Sequence, residues 1–197
     1  MPSAATARKT LSSSCYTADL TAVLIEGTVG DALNRAATSY GDRMALIDGQ
    51  PSRASRGRWT FRELAAEAEQ VARALLTHFR PGEHVAIWGS NSPEWVLVEF
   101  GAALAGLVLV TVNPAYLEHE LAHVLKQSRA RGIIVQDEYR GRRLGDVLRG
   151  VMHDLPECGT VVHLSSWRDF LSNASGGALP HVSPDDIAQI QYTSGTT

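Results

Sequence analysis

Hydrophobic residues recur at helical spacing in the first half of the chain. Thr60 and Glu63 form a capping-box pattern, and apolar residues follow at every third or fourth position as far as Phe79. This spacing predicts a long amphipathic helix that begins after Thr60 and is ended by Pro81 and Gly82.

A shorter helix is predicted upstream. Thr28 is its expected N-cap, Asp31 is the partner in a weaker capping box, and Gly41 is a suitable residue for its end. The apolar segment Met44–Ile47 then predicts a strand.

From residue 84 onward, short continuous apolar runs alternate with helical segments. The runs recur at intervals of roughly 23 to 28 residues, which is the length of one strand, one crossover helix and two loops. Such an alternation indicates an α/β fold, with a mainly parallel sheet and helices on both faces. The five runs are residues 85–88, 108–110, 133–135, 161–164 and 187–192.

The pattern predicts one domain over residues 20–197, preceded by a disordered tail over residues 1–19. Ligands of parallel sheets bind beyond the carboxyl ends of the strands. Residues 193–197, which directly follow the last apolar run, are therefore expected at the ligand-binding edge.

Composition narrows the possible classes of function. Of the 197 residues, 44% are hydrophobic and 20% are charged, which is typical of a globular domain with one core. A net charge of −3 gives no electrostatic footprint for nucleic acid. Two cysteines, Cys15 and Cys158, are too few for a disulfide framework and favour a cytoplasmic setting. The sequence predicts neither a transmembrane helix nor a secretory signal.

The segment 192–197, Tyr-Thr-Ser-Gly-Thr-Thr, carries the main candidate chemistry. Its hydroxyl groups can donate hydrogen bonds to phosphate oxygens, and Gly195 allows backbone amides to approach an anion closely. The segment is neither a Walker loop nor the Gly-x-Ser-x-Gly elbow of a serine hydrolase. On composition alone, a plain turn is the alternative interpretation.

This string is similar to the opening of the phosphate-loop signature of the adenylate-forming, or AMP-binding, superfamily. Upstream segments resemble other motifs of that superfamily in the same order, so the resemblance covers roughly residues 20–197. Within the superfamily, the chain looks most like medium- and long-chain fatty acyl-CoA ligases. The upstream segments are Trp-Thr-Phe-Arg-Glu-Leu at 59–64, Asn-Ser-Pro-Glu-Trp at 91–95, Asn-Pro-Ala-Tyr at 113–116 and Asp-Ile-Ala-Gln-Ile-Gln at 186–191.

The resemblance implies an acid–thiol ligase that uses ATP, Mg²⁺ and CoA. A fatty acid carboxylate attacks the α-phosphate of ATP to give an acyl adenylate and pyrophosphate, and CoA then displaces AMP to form a thioester. The phosphate-binding residues that the resemblance implies are Thr193, Ser194, Gly195, Thr196 and Thr197.

In that superfamily the signature continues into Gly-x-Pro-Lys-Gly, and its catalytic lysine and glutamate would lie beyond Thr197. The resemblance therefore implies a partial N-terminal AMP-binding domain, truncated within the phosphate loop, that contains no catalytic residue. We expect no ATP–pyrophosphate exchange and only weak nucleotide affinity from the chain by itself. An uncovered apolar face near residues 187–192 is expected to favour self-association.

The sequence His-Glu-x-x-His at residues 119–123 offers a competing hypothesis. On a helix His119 and His123 share one face and could bind Zn²⁺, with Glu120 as the general base of a metallopeptidase. Against it, Lys126 and Arg129 stand where a metzincin requires glycine and histidine. A non-catalytic remnant or interaction module is the second alternative.

Two further features bear on ligand binding. Tyr116 follows a predicted strand and is placed where an aromatic ring could line a pocket. Arg140, Arg142, Arg143 and Arg149 form a basic cluster, which we interpret as a solvated face rather than a phosphate site because no aromatic residues are interleaved with it.

Overall fold

The computed structural model describes residues 21, 25–49, 52, 56–174 and 176–193. The strands are β1 (Met44–Ile47), β2 (Arg58–Thr60), β3 (His84–Trp88), β4 (Val108–Val112), β5 (Gly132–Val135), β6 (Glu138–Tyr139), β7 (Arg142–Arg143), β8 (Thr160–His163) and β9 (Gln189–Gln191). The helices are α1 (Val29–Tyr40), α2 (Phe61–Leu75), α3 (Pro93–Leu104), α4 (Glu118–Gln127), α5 (Leu144–Val151) and α6 (Trp167–Ser172). The predicted tail, residues 1–19, lies outside the described residues.

Five strands form one parallel sheet in the spatial order β8-β5-β3-β4-β9. At its centre, Ile87 of β3 pairs with Thr111 of β4 on one side and with Ile134 of β5 on the other. Each predicted apolar run overlaps one of these strands, so the predicted parallel sheet is confirmed. Among the described residues β9 is shorter than the run that predicted it.

Side chains of the central strands alternate between two hydrophobic clusters, one on each face of the sheet. Val85 and Ile87 pack on the side of α1, α2, α3 and α6. Ala86 and Trp88 pack on the side of α4 and α5. This two-residue alternation along mainly apolar strands is the arrangement expected for a sheet covered by helices on both faces, and it confirms the predicted architecture.

Both predicted capping boxes are present. The Thr28 hydroxyl accepts the Asp31 amide at 3.0 Å, and the Asp31 carboxylate accepts the Thr28 amide at 2.8 Å. Thr60 and Glu63 make the corresponding pair of hydrogen bonds at the start of α2. These reciprocal bonds satisfy amides that the first turn of a helix leaves unpaired.

Helix α2 ends earlier than predicted, at Leu75 rather than next to Pro81. The Thr77 hydroxyl donates to the Ala74 carbonyl at 2.7 Å, which gives the backbone a local alternative to further helical bonding. Phe79 is nevertheless buried in the core, because the turn after the helix carries it back toward the sheet.

At the amino end of the sheet, α3 and α4 are joined to the following strands by the same tight turn. The amides of Leu107 and Ala130 each donate to the carbonyl five residues earlier, at 2.9 and 3.1 Å. Gly106 and Arg129 precede them with φ values of 65° and 53°. This is the Schellman ending of a helix, which needs a left-handed residue at that position.

Helices long and apolar enough to span a bilayer are absent from the described part of the chain. Cys158 is a buried free thiol, whereas Cys15 lies outside the described residues.

Candidate functional site

A cleft of about 540 Å³ opens at the carboxyl ends of β3, β4 and β9. Open parallel sheets bind their ligands at this edge, so the position of the cleft makes it the candidate site. Its walls are lined by Gly89, Asn91, Trp95, Thr111, Val112, Asn113, Pro114, Tyr116, Glu120, Gln191 and Tyr192.

The segment after β3 forms one wall of the cleft. Ser92 caps α3 by accepting the Trp95 amide at 3.2 Å, and Pro93 occupies the first turn, where its missing amide costs nothing. The helix start therefore holds Asn91 and Trp95 on either side of the cap, and both line the cleft. The Asn-Ser-Pro-Glu-Trp motif therefore forms the start of α3 and places the side chains of Asn91 and Trp95 in the cleft lining.

A glutamine after β5 ties that strand to the end of β3. The Ser90 amide and hydroxyl both donate to the Gln136 side-chain oxygen, at 2.7 and 2.8 Å. A side chain at Gly89 would place its Cβ 3.0 Å from the Gln136 Cβ, so Gln136 would have to shift to accommodate a larger residue. The two strand ends are thereby fixed relative to each other next to the cleft.

The loop after β4 forms the opposite wall. The buried Trp88 indole donates to the Asn113 carbonyl at 3.0 Å. The Asn113 side chain accepts the Ala115 amide at 2.9 Å, and the Tyr116 amide donates to the Asn113 carbonyl at 3.0 Å. This asparagine-centred turn brings Tyr116 into the lining, which confirms the prediction that Tyr116 lines a pocket.

The last described residues of the chain reach the cleft. The half-buried Tyr192 donates from its hydroxyl to the Val124 carbonyl at 3.4 Å, and burial, more than the nearby Tyr116, raises the pKa of Tyr192. Thr193 follows directly and is exposed. Of the predicted phosphate-binding residues, Ser194, Gly195, Thr196 and Thr197 lie outside the described residues, so their role and that of Thr193 stay predictions.

The charge of the cleft limits which part of a ligand it can hold. Among the described residues that line it, Glu120 is the one charged side chain. The Glu120 carboxylate accepts the Leu117 amide at 2.9 Å and so caps α4. A lining of amides, hydroxyls and aromatic rings fits an uncharged, partly apolar group, while a polyphosphate would need its charge balanced outside this cleft.

The structure gives the zinc hypothesis no support. His119 and His123 are both exposed on α4, and Glu120 is engaged in the helix cap. No group of three or more His, Cys, Asp or Glu side chains that could hold a metal ion occurs in the part of the chain that is described. Within the described residues, the peptidase hypothesis therefore lacks a third zinc ligand.

Sequence reasoning missed Gln136 and misjudged Arg142. Gln136 is a polar residue directly after an apolar strand, which is a signal that it lies at the ligand-binding edge. Arg142 is half-buried and donates to the Pro114 and Tyr116 carbonyls at 2.9 and 2.8 Å, so the solvated-face interpretation is wrong for this residue. Arg143 and Arg149 are exposed, as that interpretation expects.

Comparison with known proteins identifies relatives of this chain. Residues 33–197 match the AMP-binding enzyme family. The protein YngI of Bacillus subtilis, provisionally named an acyl-CoA synthetase, is 33% identical over 205 residues, which cover 89% of this chain and 37% of YngI. The mitochondrial medium-chain acyl-CoA ligase ACSF2 of Mus musculus is 35% identical over 133 residues, which cover 67% of this chain and 21% of ACSF2.

Among solved structures, the anthranilate CoA ligase AuaEII in complex with anthranoyl-AMP superimposes with a TM-score of 0.74 at 26% identity. The match covers 88% of this chain and 32% of that ligase. The chain thus spans between about a fifth and two fifths of the length of the relatives it matches.

Proposed function

The chain belongs to the AMP-binding enzyme family, and from this we propose that it forms part of the substrate-binding region of an ATP-dependent fatty acyl-CoA ligase. In the proposed reaction, a carboxylate oxygen of the fatty acid attacks the α-phosphorus of ATP and pyrophosphate leaves. The sulfur of the CoA thiolate then attacks the acyl carbon, and AMP leaves with the electron pair of the broken bond.

The proposal rests on the observation that Tyr192 lines the cleft and is followed directly by Thr193, the first residue of the predicted phosphate-binding segment. An acyl adenylate has a phosphate between two uncharged groups. The amides, hydroxyls and aromatic rings that line most of the cleft suit one of those groups, since the Glu120 carboxylate is engaged in capping α4. The hydroxyl-rich segment that begins at Thr193 suits the phosphate. Thr193, Ser194, Thr196 and Thr197 would donate from their hydroxyls, and Gly195 would allow the close backbone approach.

ATP and CoA are the proposed co-substrates, and Mg²⁺ is the proposed metal. Magnesium would offset charge on the phosphates. We assign no protein ligand to it, because the carboxylate of Glu120, which is the one found among the described lining residues, already caps α4. We propose a medium-length acyl chain as one substrate because the mouse ligase, which is similar over 67% of this chain, is named a medium-chain acyl-CoA ligase.

Two accompanying proposals concern the oligomeric state of the protein and its location in the cell. Ile187, next to the edge strand β9, is 65% exposed, which supports self-association through this region. Sedimentation velocity of the wild-type chain and of Ile187→Lys tests this proposal, and a monomeric wild-type chain would contradict it. A cytoplasmic location is proposed from the cysteine content.

Binding of an acyl adenylate tests the proposed function on the chain itself. The probe is a non-hydrolysable octanoyl-adenylate sulfamate, followed by NMR through the tryptophan indole signals. We expect the Trp95 signal to shift, because Trp95 lines the cleft, and the Trp167 signal to stay unchanged, because Trp167 lies in α6. Equal shifts of both signals, or none, would count against the proposal.

Adenylation itself is tested in a chimera in which residues 33–197 replace the matching segment of YngI. ATP–pyrophosphate exchange is measured with octanoate and palmitate. We expect Thr193→Ala to lower exchange about tenfold through loss of one phosphate donor. The matched control is Thr38→Ala, which changes an exposed threonine on α1 and should leave exchange unaltered. A folded chimera without exchange would refute the adenylation step.

A further inference from the structure

We propose that Arg142 is a positioning residue that holds the Pro114–Tyr116 wall of the cleft in the shape that binds the acyl adenylate. Its expected effect on ligand affinity depends on the proposed function, whereas its effect on the wall does not. The proposal concerns a side chain that lines no part of the cleft and acts from behind it.

The contact consists of two hydrogen bonds from one end of the guanidinium. One terminal nitrogen (Nη2) of Arg142 donates to the Pro114 carbonyl at 2.9 Å and to the Tyr116 carbonyl at 2.8 Å. Hydrogen bonds from a charged donor are stronger than neutral ones, and Arg142 is half-buried, which limits competition from water. The side chain therefore bridges two carbonyls of the loop that lines the cleft.

The segment that carries Arg142 is itself fixed. Strands β6 and β7 form a hairpin in which Tyr139 pairs with Arg142. The two residues between them, Arg140 and Gly141, have φ values of 50° and 79°, as a tight type I′ turn requires. Tyr139 packs against the hydrophobic cluster beneath α4 and α5. Arg142 thus extends from an anchored hairpin rather than from a mobile loop.

Neighbouring arginines make a different kind of contact. Arg143 and Arg149 pair with the exposed Asp146 on the outer side of α5, and both are more than two-thirds exposed. Exposed ion pairs contribute little, because water and salt screen them. Within this cluster, Arg142 stands apart because it bonds to backbone of the cleft wall.

The cleft wall is held by hydrogen bonds from two residues, Trp88 and Arg142, which bind different parts of the loop. Trp88 in the core fixes the Asn113 carbonyl at the start of the loop. Arg142 fixes the two carbonyls farther along, at Pro114 and Tyr116. Loss of Arg142 should therefore loosen the segment that carries the Tyr116 ring while the Trp88 contact persists.

The test compares Arg142→Ala, Arg142→Lys and the matched control Arg143→Ala by amide hydrogen exchange. In Arg142→Ala we expect the Ala115 and Tyr116 amides to exchange about tenfold faster. Arg142→Lys should recover part of the protection, because one ammonium can reach one of the carbonyls. Arg143→Ala should match the wild type, and circular dichroism verifies that all variants are folded.

The same variants are titrated with the octanoyl-adenylate sulfamate. We expect about tenfold weaker binding for Arg142→Ala and unchanged binding for Arg143→Ala. Unchanged exchange at Ala115 and Tyr116 in a folded Arg142→Ala would overturn the proposal, and so would faster exchange with unchanged affinity. If the wild type does not bind the probe, the proposed function fails, and the exchange data alone decide whether Arg142 holds the wall.

Discussion

The two ends of the parallel sheet are built on different principles. At the amino end, left-handed residues and backbone hydrogen bonds close the turns into the central strands, as at Gly106 and Arg129. The His84 ring adds a side-chain contact there to the Ser128 carbonyl. At the carboxyl end, side chains link one loop to another, as in the bonds from Trp88 to Asn113 and from Ser90 to Gln136. Each left-handed turn constrains the residue type at one backbone position, whereas side-chain links fix one particular arrangement of the loops. The candidate site lies at the end that depends on side chains.

The largest expected effect is at the amino end, where Gly106→Val should destabilise the protein by about 2 kcal/mol. A β-branched residue is strained at a φ of 65°, and the added Cβ would lie 3.4 Å from Val182. Chemical denaturation measures the loss. Ligand affinity of the folded protein should not change, because Gly106 is at the end of the sheet away from the cleft.

Arg129→Gly is the matched change in the equivalent turn after α4. Because glycine adopts a φ of 53° without strain, this variant should gain about 0.5 to 1 kcal/mol. A loss of stability in Arg129→Gly, or no loss in Gly106→Val, would show that the left-handed turns at the amino end of the sheet do not determine the stability of the protein.

Next in size is a pH effect at Cys158, which is buried between α4 and β8 near the amino end. Burial raises the pKa of Cys158 from 9.0 to about 11. The unfolded chain therefore releases this proton at lower pH than the folded chain, so the stabilisation is complete below pH 9 and is lost as the pH rises to 11. By linkage, the loss reaches about 2 kcal/mol at pH 11.

Urea denaturation at several pH values under reducing conditions checks this expectation. The comparison is with Cys158→Ala, whose stability should be lower at pH 8 but should fall less between pH 9 and 11. Parallel pH profiles for the two proteins would contradict the assignment of this loss to the Cys158 thiol.

A smaller loss of stability is expected at the carboxyl end. Gln136→Leu removes the acceptor of the Ser90 amide and hydroxyl and should cost about 1 kcal/mol. It should also weaken octanoyl-adenylate sulfamate binding severalfold, because the strand ends beside the cleft are no longer tied together.

Gln127→Leu is the control, since Gln127 is an exposed residue at the end of α4. If Gln136→Leu and Gln127→Leu bound octanoyl-adenylate sulfamate with equal affinity, the side-chain links at the carboxyl end would have no special role in ligand binding. If Gln136→Leu lost stability but kept full affinity, the side-chain links of the carboxyl end would be structural only.

Local signals made much of the fold predictable. The capping boxes at Thr28 and Thr60 involve residues three apart in sequence, and continuous apolar runs identified the strands of the parallel sheet. The β6–β7 hairpin was not predicted, because its strands have two residues each and its turn is Arg140-Gly141 rather than a familiar Asn-Gly pair.

The candidate site was predictable only where a motif named its residues. Asn91 and Tyr116 belong to segments that resemble the family, and both line the cleft. Gln136 and Arg142 act through strand order: β5 lies beside β3, and the hairpin after β5 reaches the loop after β4. Hydrophobic periodicity carries no information on which strands are neighbours, so these contacts required the structure.

Strand order also has a consequence for how the cleft is completed during folding. Strands β3, β4 and β5 are successive βαβ units, so their pairings close short loops. Strand β9 instead pairs with β4, and Leu109 meets its partner Gln189 about 80 residues downstream in the chain. The entropy of closing that long loop makes β9 the costliest strand to add. We therefore expect Tyr192, and with it one wall of the cleft, to join the sheet after β3, β4 and β5 have paired.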